Sequence, residues 1–304
     1  MKEGQRDTVV ELASVRKDYG SVIALKGVDL AIRPGEVVAI LGPNGAGKTT
    51  AISLMLGLRR PTTGSVRLFG LAPADLRARS RCGVMLQESG VPDLLTVRDL
   101  VRLFGAYYPR KLPADQVIRQ AGLEEKADSR AGDLSGGQQQ RLYYALAICG
   151  DPEVLFLDEP TVGMDVEGRR AFLASLRQWA SAGRTIVLTT HYLEEADQLA
   201  ERIVVIDRGR IIADAPPAEI KSRVAGKKIA VRFRGAAPRA LLEALPVSGL
   251  AVNGDHATML SADPVAAVRR IFAERGEDVL DLEVAGADLE EAFVHLTAAE
   301  PADA

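Results

Sequence analysis

A glycine-rich segment at residues 42–50 limits what this chain can fold into more than any other feature of its sequence. The segment consists of Gly42, Pro43, Asn44, Gly45, Ala46, Gly47, Lys48, Thr49 and Thr50. It matches the pattern G-x-x-x-x-G-K-[ST] and lies between a buried strand predicted at Glu36–Leu41 and a helix predicted at Thr49–Leu58. Glycines let several backbone N–H groups turn inward, and the helix N-terminus adds partial positive charge. The pattern therefore predicts a nucleotide site where Lys48 contacts phosphate and Thr49 binds Mg²⁺.

Two acidic residues at the end of a second buried strand suggest a catalytic site. Val154–Leu157 is a continuous apolar run, and Asp158 and Glu159 follow it directly. Open α/β sheets bind their ligands at the carboxyl ends of their strands. In this position Asp158 would hold Mg²⁺ through water, and Glu159 would orient or deprotonate an attacking water. Taken alone, the same residues could be a polar turn that caps a strand, so the interpretation depends on the nucleotide site.

The order of the predicted elements indicates an α/β fold with a mainly parallel sheet. Further strands are predicted at Val9–Val15, Ala24–Ile32, Gly83–Leu86, Thr185–Thr189 and Ile203–Ile206. Helices are predicted at residues 93–127 and 135–149, at Gly168–Ala180 and at Tyr192–Ala200. Strands and helices alternate along this part of the chain, which is the arrangement that parallel sheets require.

The sequence changes character near Ala215-Pro216-Pro217, and we predict a second domain beyond this point. We assign residues 1–220 to the nucleotide-binding domain and residues 221–304 to a small C-terminal α+β domain. Its predicted elements are a strand at Lys228–Phe233, a helix at Pro238–Ala244, a hairpin at Asn253-Gly254, a helix at Pro264–Gly276 and a strand at Val279–Val284. A last helix begins at Asp288, which forms a capping pair with Glu291.

Charge and composition exclude several classes of protein. The 38 lysines and arginines against 41 aspartates and glutamates give a formal net charge of −3, so nucleic acid is not an expected partner. No apolar run reaches the roughly 18–20 residues that a membrane span needs. Residues Met1–Thr8 lack the apolar part of a secretory signal. We therefore expect a cytoplasmic protein whose two cysteines, Cys82 and Cys149, are buried reduced thiols.

One further motif, Leu134-Ser135-Gly136-Gly137-Gln138, indicates a family. Together with the glycine-rich segment and the two acids, it resembles the nucleotide-binding subunit of ATP-binding-cassette (ABC) transporters, over about residues 8–215. The resemblance implies a P-loop NTPase fold with a helical subdomain at about residues 88–150, and ATP and Mg²⁺ as cofactors. It also implies that Ser135, Gly136, Gly137 and Gln138 cap the ATP of the opposite subunit, in a head-to-tail dimer that sandwiches two ATP molecules. On its own, this motif could be only a glycine-rich helix cap.

The resemblance implies roles for four further residues. Tyr19 resembles the aromatic residue that stacks on adenine, and Gln87 resembles the residue that touches Mg²⁺ and links the nucleotide to the membrane subunit. Asp165 resembles a residue of the loop that contacts the other subunit across the dimer. His191, directly after a predicted strand, resembles the histidine that holds the γ-phosphate and the attacking water. The expected catalytic residues are then Lys48, Glu159 and His191.

A single cassette without a predicted membrane span implies partners on other chains. The resemblance implies a homodimer or a paired cassette subunit, peripheral on the cytoplasmic face of the cell membrane and bound to a separate polytopic permease. Residues 288–297 resemble the tail of exporters of the daunorubicin-resistance type, which move drugs, antibiotics, lipids or polysaccharides outward. We therefore expect an export ATPase. The alternatives are an uptake ATPase, and a soluble ATPase of the same family that acts on ribosomes or DNA.

Overall fold

The computed structural model describes residues 8–86, 90–222, 226–286 and 288–298. The chain divides into two compact units, Met1–Pro216 and Pro217–Ala304. The division falls after Pro216 instead of after residue 220, because a helix at Pro217–Ser222 packs against the C-terminal helix at Leu289–Ala298. Among the described residues, no helix has the combination of length and apolar character that crossing a membrane requires.

Two sheets form the strand framework in the described residues of the first unit. Their strands are β1 (Val10–Tyr19), β2 (Val22–Ile32), β3 (Val37–Leu41), β4 (Thr63–Leu68), β5 (Cys82–Met85), β6 (Val154–Asp158), β7 (Thr185–Thr189), β8 (Arg202–Asp207) and β9 (Arg210–Ala215). The larger sheet has the order β5-β6-β7-β3-β8-β9 and is parallel except for the β8–β9 pair. The smaller sheet is antiparallel, with the order β2-β1-β4. The predicted α/β fold with a mainly parallel sheet is confirmed.

The middle strands of the larger sheet bring their carboxyl ends to one edge. Strands β3, β6 and β7 are buried along their whole length, as their continuous apolar sequences predict. The register pairs Thr189, the last residue of β7, with Asp158 on one side and Ile40 on the other. The residues that follow β6, β7 and β3 therefore leave the sheet at the same edge, with those of β7 in the middle.

The main core of the first unit lies around helix α1 (Lys48–Met55). Ile52 and Met55 of this helix pack with buried side chains of both sheets, among them Leu12 of β1 and Ile40 of β3. The helix is shorter than predicted and ends at Met55, since Gly57 has a φ of 65° and belongs to the turn that follows.

Two strands were not predicted from the sequence. Strand β4 exposes most of its side chains, and β9 is the edge strand of the larger sheet. Neither strand has the uninterrupted buried apolar run that identifies β3 or β7. They form because β1 and β8 offer them free backbone donors and acceptors, which is a tertiary effect.

The segment between β5 and β6 is helical but discontinuous. It contains α3 (Val97–Gly105), α4 (Ala114–Gln120) and α5 (Gly136–Ile148), which pack against one another, and it follows a short helix α2 (Leu76–Arg79). The prediction of one helical stretch over residues 93–127 is wrong, because Pro109 and Pro113 separate α3 from α4. Proline lacks a backbone N–H and its ring collides with the preceding turn.

Two more helices complete the described part of the first unit. Helix α6 (Val166–Ser181) follows β6, and α7 (Leu193–Leu199) follows β7. Helix α6 packs against α7, and α7 packs against β3. Both helices therefore begin close to the carboxyl edge of the sheet, directly after the residues that leave β6 and β7.

The second unit has its own sheet and core. Its elements are α8 (Pro217–Ser222), β10 (Lys227–Phe233), α9 (Arg239–Glu243), β11 (Val247–Asn253), β12 (His256–Ser261), α10 (Pro264–Arg275), β13 (Val279–Gly286) and α11 (Leu289–Ala298). The sheet is antiparallel, with the order β11-β12-β10-β13. Ile229, Val231 and Phe233 pack against Leu242 of α9 and Ile271 of α10. The β11–β12 hairpin turns at Gly254, where φ is 65°, as Asn253-Gly254 predicts.

Candidate active site

The glycine-rich loop runs from the end of β3 to the start of α1, and two of its glycines cannot be replaced without a clash. A Cβ on Gly42 would lie 2.1 Å from the carbonyl oxygen of Ile206, and one on Gly47 would lie 2.6 Å from that of Ala24. Gly47 also has a φ of 113°, in the region that favours glycine, and is the N-cap residue of α1. The loop is thus held tightly against β2 and β8, with the N-terminus of α1 at its end.

Lys48 folds back over this loop. Its Nζ donates hydrogen bonds to the carbonyl oxygens of Gly42 at 2.8 Å and Pro43 at 3.1 Å, and the residue is only 8% exposed. Burial lowers the pKa of Lys48, while the negative charges of Glu159 and Asp158 act in the opposite direction. An ammonium group held in this way is positioned to meet phosphate oxygens that enter the loop.

Asp158 and Thr189 link the carboxyl ends of β6 and β7. The Thr189 hydroxyl donates a hydrogen bond to Oδ1 of Asp158, and both residues are almost completely buried. Thr189 also accepts from the backbone N–H of Glu159, through its carbonyl oxygen at 3.1 Å and its hydroxyl at 3.2 Å. These bonds fix the direction in which the chain leaves β6.

Glu159 leaves the sheet in a left-handed conformation and reaches His191. Its φ of 52° is uncommon for a residue other than glycine, and such conformations cost about 1–3 kcal/mol. Oε2 of Glu159 lies 2.6 Å from Nδ1 of His191 and accepts the backbone N–H of His191 at 3.2 Å. The side chain of Glu159 is 10% exposed and that of His191 is 51% exposed. The pair is therefore anchored on the glutamate side and open to solvent on the histidine side.

These parts surround one cleft of about 560 Å³. It is lined by Ala24, Asn44, Gly45, Ala46, Gly47, Lys48, Thr49, Thr50, Glu159, Val162 and His191. All three residues predicted to be catalytic line it. Asp158 is buried at the end of β6 and does not line the cleft, Tyr19 lies at the β1–β2 turn outside its lining, and Gln87 lies outside the described residues.

The donors near this cleft fit a magnesium ion that arrives with a nucleotide. Among the described residues, no group of three or more His, Cys, Asp or Glu side chains could hold a metal by itself. Mg²⁺ bound to a nucleotide usually has only one or two protein ligands, and phosphates and water supply the others. The hydroxyl of Thr49 at the start of α1 and the carboxylate of Asp158 at the end of β6 are oxygen ligands of this kind.

A second cleft of about 370 Å³ collects the Leu134–Gln138 motif and Asp165. It is lined by Ser135, Gly136, Gly137, Gln138, Arg141, Gly163, Met164, Asp165 and Gly168. Ser135 and Gln138 form a capping box at the start of α5, with Ser135 N–H to Gln138 Oε1 at 3.0 Å and Gln138 N–H to Ser135 Oγ at 3.4 Å. Asp165 caps α6 by accepting the Gly168 N–H at 2.7 Å. Two helix N-termini thus open into a cleft that shares no lining residue with the first one.

A buried polar cluster behind Glu159 and His191 was not predicted from the sequence. Glu195 is 2% exposed and accepts hydrogen bonds from the hydroxyls of Thr161 at 2.6 Å and Thr190 at 3.0 Å. Spacing could have indicated it, because Glu195 shares a helix face with the buried Ala196 and Leu199, whereas Glu194 does not. Residue type alone does not reveal that one is buried and the other exposed, because the two adjacent residues are both glutamates.

Comparisons with known proteins find relatives that match most of this chain. The family described as ABC transporter matches residues 25–162. A daunorubicin resistance ATP-binding protein of Streptomyces coeruleorubidus is 36% identical over 96% of this chain and 96% of its own length. The Nod factor export ATP-binding protein I of Burkholderia orbicola is 36% identical over 97% of this chain and 98% of its own length.

Solved structures match the fold over a smaller part of the chain. The ATP-binding subunit of an ABC transporter superposes with a TM-score of 0.65 and 27% identity, over 71% of this chain and 93% of that one. A dimeric ATP-binding cassette in a post-hydrolysis state, bound to ADP and Pi, superposes with a TM-score of 0.62 and 29% identity, over 68% of this chain and 98% of that one.

Proposed function

This chain belongs to the ABC transporter family of ATP-binding proteins, and we propose that it drives export of a drug, antibiotic, lipid or polysaccharide through a separate membrane permease. The chain is an ATPase of that family. The observation that carries the assignment of its active site is the 2.6 Å contact between Glu159 and His191 at the mouth of the cleft that holds Lys48.

In the proposed mechanism, each residue of the first cleft has one task. The loop N–H groups and Lys48 bind the β and γ phosphates of ATP, and Thr49 and Asp158 hold Mg²⁺, with Gln87 as a further ligand. Bound Mg²⁺ neutralises charge that develops on the phosphates. Glu159 orients the attacking water and accepts its proton, while His191 holds Glu159 through Nδ1 and contacts the γ-phosphate.

We infer a head-to-tail dimer from the separation of the two clefts. Lys48 and Glu159 line one cleft, whereas Ser135 and Asp165 line the other, and no lining residue is shared. A helix N-terminus binds anions, and α5 begins at the second cleft. The second cleft of one subunit would therefore cap the γ-phosphate held in the first cleft of its partner.

The export direction and the partners rest on relatives and on the tail. Two relatives of nearly equal length are named for daunorubicin resistance and for Nod factor export. The C-terminal segment that resembles the tail of such exporters forms α11. At the start of this helix, the side chains of Asp288 and Glu291 accept each other's backbone N–H, and both form ion pairs with Lys228. We propose that the subunit acts as a homodimer or with a second cassette subunit, on the cytoplasmic face of the membrane beneath a polytopic permease.

Pairs of inactive variants test the shared sites. Lys48→Ala disables the first cleft and Ser135→Arg disables the second, so each homodimer should lack ATPase activity. When both variants are co-expressed, half of the dimers carry one intact composite site, and activity should return to at most roughly a quarter of the wild-type value. Co-expression of Lys48→Ala with Glu159→Gln is the matched control, since both changes lie in the first cleft and no intact site forms. Equal recovery in both pairs, or recovery in neither, would contradict the head-to-tail arrangement.

Capture of the membrane partner tests the export function. Tagged Glu159→Gln protein should bind ATP without turning it over, and it should remain closed on its partner. Purification from membranes of the source cells with ATP and Mg²⁺, followed by mass spectrometry, should recover a polytopic membrane protein. Lys48→Ala, which lacks the phosphate contact, is the control and should recover less. Recovery of ribosomal or DNA-associated proteins without any membrane protein would overturn the transport proposal.

A further inference from the structure

Glu195 is a buried charged group that the proposed mechanism does not use. It lies on α7, and its two carboxylate oxygens accept from two different threonines. Thr161 lies two residues after Glu159, and Thr190 lies one residue before His191. One carboxylate therefore binds both of the chain segments that carry the proposed catalytic pair.

Arg169 connects the same carboxylate to the His191 ring. Its Nε lies 3.5 Å from Oε1 of Glu195, close enough for attraction between the charges but without hydrogen-bond geometry. The guanidinium carbon lies 4.1 Å from the centre of the Tyr192 ring. That ring lies 4.0 Å from the centre of the His191 ring, at an angle of 38°. Arg169, Tyr192 and His191 thus form a continuous stack that ends at the histidine.

The backbone between these residues is also fixed. The N–H of Tyr192 donates to the Thr190 hydroxyl at 2.9 Å, and this same hydroxyl donates to Glu195. Asp165, four residues before Arg169, caps the first turn of α6. The position of Arg169 is therefore set by a capped helix rather than by a loop.

The geometry points to Glu195 and Arg169 as positioning residues that hold Glu159 and His191 at their 2.6 Å contact, through Thr161, Thr190 and Tyr192. This inference rests on the proposed function, because it assumes that Glu159 and His191 perform hydrolysis. Neither Glu195 nor Arg169 lines the cleft, so both act through other residues.

The energetics of Glu195 favour a role in positioning over a role in stability. Burial raises its pKa, while the two hydroxyl bonds and Arg169 act in the opposite direction. A buried carboxylate is costly to ionise, and an apolar or amide side chain of the same size often stabilises a protein at least as well. A carboxylate here would add little to the stability of the fold. It does hold the two segments that carry Glu159 and His191 at one common point.

Charge-removing variants of the purified full chain test the inference. Glu195→Gln and Arg169→Gln should each lower kcat for ATP hydrolysis by roughly tenfold to a hundredfold, because small displacements of reacting groups have effects of this size. The KM for ATP should change by less than about twofold, since the phosphate loop is untouched. Arg170→Gln, an exposed arginine next to Arg169, is the matched control and should keep the wild-type kcat.

Two further variants separate the ring stack from a general loss of structure. Tyr192→Phe keeps the ring and should keep kcat within about twofold, whereas Tyr192→Leu removes it and should lower kcat as Arg169→Gln does. Each variant is also checked for its thermal midpoint and its affinity for ATP. A fall in kcat with unchanged ATP affinity supports positioning, because a damaged fold would weaken both.

The outcomes distinguish this inference from the proposed function. Wild-type kcat in Glu195→Gln and Arg169→Gln, beside an inactive Glu159→Gln, would overturn the positioning role and leave the active site in place. Loss of ATP affinity in parallel with kcat would also overturn it, since the residues would then support the fold as a whole. Wild-type turnover in Glu159→Gln would instead overturn the catalytic assignment on which the inference rests.

Discussion

At the scale of single residues, close backbone packing explains why two positions of the glycine-rich loop must be glycine. A Cβ on Gly42 would collide with the carbonyl oxygen of Ile206, and one on Gly47 with that of Ala24, so the loop lies close against two strands. The bonds of Glu159 to Thr189 and His191 offset the energetic cost of its left-handed backbone conformation. Strain and tight contact therefore coincide where phosphate and water would bind.

Replacement of Gly42 by alanine tests this packing. The new Cβ would lie 2.1 Å from a backbone oxygen that cannot move independently of β8, so we expect Gly42→Ala to destabilise the fold by more than about 2 kcal/mol. Gly286→Ala is the control, since a Cβ there meets nothing within 4 Å. Thermal or urea unfolding of both variants measures the difference. A stable Gly42→Ala variant would show that the loop can withdraw from the sheet.

At the scale of elements, two helices begin with the same device but face different surroundings. Ser135 and Gln138 form a capping box on α5, and Thr96 and Asp99 form one on α3. The box on α5 lines the second cleft, whereas the box on α3 does not. If removal of one box lowers ATPase activity and removal of the other does not, the difference must therefore come from the cleft and not from helix capping.

Removal of each cap separates stability from function. Ser135→Ala and Thr96→Ala should each cost about 1 kcal/mol of unfolding free energy, because each leaves a helix N–H without its acceptor. Only Ser135→Ala should also lower ATP turnover, since Ser135 is proposed to meet the partner's nucleotide. Unfolding curves and steady-state ATPase rates of both variants give the comparison. Equal turnover in the two variants would argue that Ser135 is a cap and nothing more.

At the scale of the whole molecule, burial controls the ionisation and the accessibility of the two cysteine thiols. Cys82 is 3% exposed and Cys149 is 1% exposed, and neither is in a disulfide, as expected from their number. Burial raises the pKa of the Cys82 thiol to about 12 and that of Cys149 to about 11, from an ordinary value of 9.0. The native chain therefore keeps both thiols protonated and enclosed.

Thiol labelling measures this enclosure and its dependence on pH. At pH 8 we expect a thiol reagent to label neither cysteine of the native chain at an appreciable rate, and to label both in urea. The raised pKa values have a second consequence. Their contribution to stability is complete below pH 9.0 and is lost as the pH rises towards 11–12, because the unfolded thiols ionise first. Rapid labelling of the native chain would contradict the buried positions.

Local patterns in the sequence identify the residues that could bind phosphate and the strands that are buried. Spacing and residue type identify the segment from Gly42 to Thr50 and the acids Asp158 and Glu159, because those features depend on local backbone geometry. Continuous apolar runs identify β3, β6 and β7 for the same reason. The sequence also contains Pro109 and Pro113, which interrupt the helical segment. The helical spacing of the apolar residues around them nevertheless favoured a continuous helix.

Contacts between distant parts of the chain determine which of these residues lie together. The strand order places β7 between β6 and β3, which brings His191 to Glu159 although 32 residues separate them along the chain. It also buries Glu195 and leaves Glu194 outside, and it pairs β4 and β9 with strands that accept them. Hydrogen bonding between distant strands and burial of one helix face depend on the packing of the whole unit, so no local pattern could have supplied them.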